Sequence, residues 1–407
     1  MEKAKFVTSK LGVLLIDLDH FKYINDNWGH ERGDFILREA AQRIKSSICP
    51  NDLVARLGGD EFSVLIKEAS SEKIEQVAKR IVANFQMPLD FGEQQYMPSC
   101  SIGISVFPDN GESADEFLNN ANTALNSVKE KGHKGFAFFH IEMQERSLEQ
   151  TLLVKELEKA ILQEQFQLEY QPKINLFENK LIGMEALVRW NHPELGMISP
   201  GKFIPLAEET GLILPLGEAV LRSGCRQHKN WQDLGYPPIR MSVNMSARQI
   251  ASPNIVTRIK EILMETGLDP VWLEIEVTES IFVDIDNAST VLQQIRDIGI
   301  HISIDDFGTG YSSFSYIKHI PVDVLKIDAS FVRDIHQNEQ SKAIIRAILT
   351  MAQTLGIKVI AEGIENCEQL EALKNEGCSQ GQGFLFSKPL SIIDFEDYLK
   401  DFGRKIE

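Results

Sequence analysis

From residue 166 onward, eight short apolar runs alternate with stretches of helical periodicity: "FQLEYQP", "LIGMEALVRW", "IRMSVNMS", "WLEIEVTES", "IHISIDDF", "DVLKIDASF", "IKVIAEGIE" and "GQGFLFSKP". Eight β/α repeats over roughly 240 residues predict a TIM-type barrel, with parallel strands inside and helices outside. Within each repeat the apolar run carries, at or near its end, a residue able to bind metal or phosphate: Glu185, Asn244, Glu276, Asp305 with Asp306, Lys326, Glu362 and Gln382. The C-terminal strand ends of a barrel converge on one rim, so side chains two hundred positions apart become neighbours. The pattern therefore implies one pocket lined mainly by carboxylates.

Several carboxylates in one cup repel one another, and neutral pH tolerates them only if protons or cations offset the charge. With Asp, Glu and Asn in the set and neither His nor Cys, the fitting ions are hard ones, Mg²⁺ or Mn²⁺. The adjacent pair Asp305 and Asp306 suits two ions, one carboxylate bridging while the other holds the second. Two metals a few ångströms apart are a device for in-line attack of water on a phosphodiester. Read strand by strand, each acid is equally a solvated rim residue, and only their recurrence argues for the site.

At 407 residues the chain is too long for one typical domain. Its first third interleaves strands ("GVLLIDLDHF", "DLVARL", "EFSVLIK", "SCSIGISVF", "GFAFFH") with helical patterns near 33–48, 72–86 and 113–130, which predicts one α/β sandwich. Leu148, Leu152, Leu153, Leu157, Ala160 and Ile161 then recur at helical spacing. We read residues 1–141 as the first domain, 142–165 as a linking helix and 166–407 as the barrel.

A net charge of −17 and a pI near 5.1 argue against phosphate-driven binding to a DNA or RNA duplex, which needs a basic face. A small anionic ligand needs metal ions or local basic residues to neutralise it. The five cysteines form no CxxC pair and no zinc-like spacing, as expected of reduced thiols in a cytosolic protein. No apolar run reaches the length of a membrane span, and "MEKAKFVTSK" leads into a strand rather than a signal peptide. The expected location is cytoplasmic, either as a free chain or as the cytoplasmic part of a longer sensor protein. Trp28, Trp231 and Trp272 read as packing residues, and His192, His228 and His319 have no metal partner at recognisable spacing.

In the first domain, "LLIDLDHFKYINDNWGHERGD" ends a strand in Asp17 and sets Lys22, Asn25, His30 and Asp34 in the following helix and turn. In "RLGGDEFSVLI", Gly58 and Gly59 form a hairpin signal between two strands, with Asp60 and Glu61 at its tip. A strand-end carboxylate plus a hairpin-tip acid can hold Mg²⁺ against a triphosphate.

The ordered segments "EALVRW", "NMS", "EVTES", "DDFGTGYSS", "LKID", "AEGIE" and "QGFLFSKP", across about residues 147–405, resemble the EAL family of cyclic di-GMP phosphodiesterases. The resemblance implies that Glu185, Asn244, Glu276 and Asp305 bind a first metal, that Asp305 bridges to a second, and that Asp306 and Glu362 help to hold it. It further implies that Lys326 and Glu362 position and deprotonate the attacking water, and that Gln171, Arg189 and Gln382 contact substrate. Glu279 resembles the anchor of the loop from "DDFGTGYSS", in which Gly308 and Gly310 supply freedom.

Residues 10–140 with their intact "GGDEF" resemble the diguanylate cyclase family. That likeness makes Asp17 and Asp60 metal ligands, Glu61 a second acid, Lys22 a phosphate contact, and Asn25 and Asp34 guanine readers, with His30 and Lys129 in the same site. Three departures weigh toward a regulatory domain, one that binds GTP with Mg²⁺ or no nucleotide at all, over an efficient cyclase. Nothing before Gly12 resembles the family's leading helix, "VKEKGHK" keeps Lys129 but places His133 where a phosphate-binding Arg is usual, and the RxxD inhibition site reads "CPND" with Cys49 in place of Arg. The expected activity is metal-dependent hydrolysis of cyclic di-GMP to linear pGpG by a homodimer. A bifunctional cyclase/phosphodiesterase and a non-catalytic cyclic di-GMP receptor are the alternatives.

Overall fold

The computed structural model describes residues 10–68, 70–90, 95–130, 132–279, 281, 285–308 and 320–404, and the chain divides into two compact units, Met1–Leu152 and Leu153–Glu407. His319 and Gly310 lie outside the described residues. Among the described residues no helix is long and apolar enough to cross a membrane.

The first unit is built on a sheet of order β2-β3-β1-β6-β7, comprising β1 (Leu11–Leu18), β2 (Leu53–Gly58), β3 (Glu61–Lys67), β6 (Cys100–Phe107) and β7 (Gly135–Phe138). A separate ribbon pairs β4 (Leu89–Asp90) with β5 (Gln95–Tyr96). The central strands β1 and β6 are buried on both faces, which is why they read as near-continuous apolar runs. Leu14, Ile16 and Ile102 pack with residues of helices His30–Ser47 and Ser71–Phe85, while Val13, Leu15 and Phe107 pack with Phe117, Ala121 and Leu125 of helix Ala114–Glu130.

The second unit is a closed barrel. Its strands are β8 (Phe166–Asn175), β9 (Lys180–His192), β11 (Arg240–Asn244), β12 (Leu273–Thr278), β13 (His301–Phe307), β14 (Val324–Ile327), β15 (Lys358–Ala361) and β16 (Gln380–Gly381), with a short β10 (Gly196–Ile198) folded onto β9. Strands β9 and β11 to β16 run parallel around the ring, and β8 closes it antiparallel to both β9 and β16. The expectation of eight parallel strands is corrected at this one strand. Asn175 Oδ1 accepts the N–H groups of Phe177 and Glu178, both at 3.0 Å, and Asn179 adopts φ 51°, so the chain turns straight back into β9. Leu153, Leu157 and Ala160 of helix Ile141–Leu162 join the barrel's core.

One layer of the barrel interior departs from the usual branched aliphatic filling. Two residues before Asn244, Glu276 and Asp305, and two after Gln171, stand Ser242, Glu274, Ser303 and Lys173, all buried. Period-two alternation puts each on the same face as its partner at the rim.

Candidate active site

The rim acids gather around Lys326, which is fully buried on β14. Its Nζ lies 2.7 Å from Glu276 Oε2, 2.7 Å from Glu362 Oε1, 3.0 Å from Asp305 Oδ2 and 3.4 Å from Glu185 Oε2. Asn244 donates to Glu185 Oε1 at 2.8 Å, and Gln382 Nε2 donates to Glu185 Oε2 at 2.7 Å and Gln171 Oε1 at 2.8 Å. Two sets of acids offer oxygens within 4.8 Å of one another: Glu185, Glu276 and Asp305, and Asp305, Asp306 and Glu362. Asp305 belongs to both. Carboxylates and one amide, with no His or Cys, suit hard divalent cations.

Asp305 and Asp306 occupy the end of β13, where its register with β14 shifts between Ile304 and Phe307. There Asp306 takes φ 54°, in the left-handed region, and its N–H donates to Asp305 Oδ1 at 2.9 Å. The kink lets two consecutive residues serve one rim, which an unbroken strand would send to opposite faces. Glu279 Oε2 accepts the N–H of Gly308, just past the end of this strand, at 3.1 Å.

The electrostatics of the acids differ sharply. Burial pushes the Glu362 carboxyl up to about 8, Lys326 opposing and Asp305 and Glu185 adding to the rise. Burial raises Glu185 likewise, with Glu276 reinforcing it. Glu276 is equally buried, yet the fields and hydrogen bonds of Lys173 and Lys326 outweigh desolvation and hold it well below the usual carboxylate range. Asp306 is raised by burial, by Asp305 and by Asp328. Lys326 remains charged, because the surrounding acids outweigh the burial that would strip its proton. The site thus pairs one firmly ionised carboxylate, Glu276, with another, Glu362, poised near neutrality, as acid–base chemistry requires.

Gln171, Glu185, Asp305, Glu362 and Gln382 line an open cavity of about 260 Å³. Arg189 stands apart from them, on the wall of an adjoining cavity of about 280 Å³ shared with Asn244, Ile204 and Thr278, and its Nε donates to Glu169 at 2.7 Å. Sequence reasoning missed Lys173, Glu274 and Asp328. The first two form a buried group with Glu276, and the third bears on Asp306.

In the first unit, Asp17 pairs in register with Glu61, and Lys129 Nζ lies 2.8 Å from Asp17 Oδ2. Burial raises the Asp17 carboxyl, Lys129 opposing, with Asp60 and Asp19 adding to the rise. Of the expected glycine pair only Gly59 needs its freedom, at φ 50°, while Gly58 ends β2. Arg56 closes that tip with two bonds to Gly59 O, at 3.0 and 2.6 Å. Lys22, His30 and Asp34 are exposed; Asn25 is half-buried, its Oδ1 filling the place a Cβ would take at Gly33. Asp19, also missed, is buried and accepts from Ser101 Oγ at 2.7 Å, with His133 Nδ1 3.2 Å away.

Comparison with known families matches residues 154–389 to the EAL domain and residues 1–135 to the diguanylate cyclase, GGDEF domain. The bifunctional diguanylate cyclase/cyclic di-GMP phosphodiesterase MucR of Pseudomonas aeruginosa is 40% identical over 94% of this chain and 56% of its own length. The cyclic di-GMP phosphodiesterase PdeR of Escherichia coli is 40% identical over 98% of this chain and 60% of its own. The chain therefore spans less than two thirds of either relative. Among solved structures, a cyclic di-GMP complex of the PaMucR phosphodiesterase is 42% identical, with TM-score 0.58, covering 60% of this chain and 99% of that one. The EAL enzyme Bd1971 with cAMP and cyclic di-GMP bound is 29% identical, with TM-score 0.61, covering 84% of this chain and 82% of that one.

Proposed function

The chain belongs to the EAL family and carries a GGDEF domain ahead of its barrel, and from that premise we propose that it hydrolyses cyclic di-GMP to linear pGpG in the barrel, with two Mg²⁺ or Mn²⁺ ions. The observation that carries the proposal is the pair of acid triads sharing Asp305 around Lys326. Divalent ions bound there supply a water of lowered pKa and neutralise charge on the phosphate. Glu185, Asn244, Glu276 and Asp305 would hold one ion, and Asp305, Asp306 and Glu362 would hold the other.

Lys326, which stays charged, orients the attacking water, and the Glu362 carboxylate 2.7 Å away takes its proton as the P–O3′ bond breaks. Gln171 and Gln382, bonded to each other on the cavity wall, contact the substrate. Arg189 turns from Glu169 to a phosphate, for which its planar guanidinium is suited. Glu279 couples the acids to the segment beyond Gly308. The domains are proposed as read above, 1–141, 142–165 and 166–407, the first binding GTP with Mg²⁺ and regulating the second in a cytoplasmic homodimer. His133, beside Asp19 where the family usually has a phosphate-binding Arg, favours that regulatory role over cyclase activity.

The test is to incubate the purified chain with cyclic di-GMP and Mn²⁺ or Mg²⁺, with and without GTP, and to separate the nucleotides chromatographically. Formation of pGpG, abolished by Glu185→Ala, is expected, and a rate that changes with GTP gives the first domain its role. Cyclic di-GMP formed from GTP alone would make the protein bifunctional. Binding without hydrolysis under either metal would make it a receptor.

A further inference from the structure

Beneath the rim lies a second charged layer that the proposed chemistry does not use. Lys173 Nζ, on β8, donates to Glu276 Oε1 at 2.6 Å and to Glu274 Oε1 at 3.0 Å, both on β12. Strand β8 is separated from β12 around the ring by β9 and β11, so these bonds cross the barrel's interior. Lys173, Glu274 and Glu276 are 4%, 3% and 0% exposed, a depth at which an unpaired charge is prohibitive. Glu276 is thereby gripped from two sides: Lys173 holds Oε1 from below, and Lys326 meets Oε2 from above at 2.7 Å. Glu274 balances the charge of Lys173, and Arg240 Nη1 stands 3.8 Å from its other oxygen. Opposite Lys173 in the β8–β9 register is Gly183, where a Cβ would only touch the lysine's Cδ at 3.7 Å but would crowd the Arg240 backbone oxygen at 2.9 Å.

We propose that Lys173 is a positioning residue for metal binding, which fixes Glu276 through Oε1 so that Oε2 alone is presented to the ion; the inference rests on the metal site proposed above. A carboxylate pinned at one oxygen cannot rotate away or chelate through both, so the site is set before the ion arrives. This is the outer support that metal ligands generally require, supplied here by a lysine across a barrel. Glu274 is its counter-charge. It keeps the layer neutral without touching the site.

Electrostatics and positioning predict opposite signs, which makes the proposal testable. If Lys173 acted only as a nearby positive charge, removing it would tighten cation binding. If it positions Glu276, removal weakens binding. The experiment is Mn²⁺ binding to the full chain, read as free Mn²⁺ by electron paramagnetic resonance, without substrate. The variants are Lys173→Met, Lys173→Met/Glu274→Gln, which leaves the layer's charge unchanged, and Glu274→Gln. Expected are about ten- to a hundredfold weaker binding at one ion in both Lys173 variants and a change under about threefold in Glu274→Gln, the range typical of lost outer support. Affinity equal to or tighter than wild type in a folded Lys173 variant overturns the proposal. If neither Lys173 variant folds, the layer holds the barrel together rather than placing a ligand, and the proposal also fails. A wild-type chain that binds no Mn²⁺ instead refutes the metal site itself.

Discussion

Replacing Lys326 by methionine removes one positive charge from contact with four carboxylates, Glu276, Glu362, Asp305 and Glu185, at 2.7 to 3.4 Å. The lysine is fully buried, so water cannot take its place. Breaking a buried pair by removing one partner costs about 3–5 kcal/mol, which for a unit of this size lowers the barrel's Tm by roughly 6–20 °C. The deficit should depend on pH with a definite sign. Glu362 sits at about 8 even with Lys326 present, and loss of the lysine raises it further above its unfolded value. A raised carboxyl stabilises the fold most below its unfolded pKa and loses that contribution as pH rises through its folded one; wild type stops losing it at about 8 while the variant goes on, so the Lys326→Met deficit should be worse near pH 9 than near pH 7. Divalent ions replace the missing charge. Mn²⁺ at a hundred times its Kd adds about 2.7 kcal/mol to any folded state that alone binds it, and the gap between variant and wild type should narrow on adding it. Scanning calorimetry in chelator and in Mn²⁺, at both pH values, reads all of this. A variant within about 2 °C of wild type in chelator at pH 9, or an Mn²⁺ shift equal in both proteins, would refute the account of the acid cluster.

Three further outcomes follow from other contacts. Glu279→Ala, which releases the Gly308 amide, should lower kcat about tenfold while Mn²⁺ affinity stays within threefold; parallel loss of both would make Glu279 part of the metal site. Asp17→Asn should weaken Mg²⁺·GTP binding to the first domain at least tenfold in calorimetry and leave GTP-free hydrolysis unchanged, and unaltered GTP affinity would remove Asp17 from the nucleotide site. His228 is buried and pushed down to about 4, mainly by desolvation, with the Ile239 backbone partly opposing. Its folded pKa lies below its unfolded value near 6.5, so stability is kept above that pH and about 3 kcal/mol is lost as pH falls from there through 4. Urea unfolding at pH 7 and 4.5 should show His228→Leu losing less than wild type over that interval, and equal losses would count against a neutral buried ring.

The barrel was legible because strand-end acids recur with the repeat, and a repeat states topology as well as composition. What could not be read was direction. "FQLEYQP" has the same alternation whichever way it runs, and only the turn after Asn175 decides that β8 enters antiparallel. Rim residues such as Glu276 and Asp305 stood out because each ends an apolar run. Lys173 lies between proline and isoleucine in a strand whose neighbours alternate polar and apolar, the pattern of a half-solvated surface, and its burial exists only because Glu274 waits across the interior. Glu274 itself merged with the alternation of "LEIEVTES". In "DLD" the spacing marks two acids on one face without giving their partners, and the structure buries both, pairing Asp17 with Lys129 and Asp19 with Ser101 of β6 and His133. Arg189 shows the converse limit, since residue type suggested a phosphate contact and local geometry gave it Glu169.

The polar layer beneath the rim carries an evolutionary consequence. The lysines inside this closed barrel cannot be discarded alone, because each single loss strands the buried acids it holds. A lineage abandoning hydrolysis would have to trade Lys173 with Glu274, and Lys326 with acids around it, in linked steps through less stable ancestors. The catalytic set is therefore guarded by folding as well as by selection for activity, and its decay should leave paired substitutions, lysine with glutamate, as its trace.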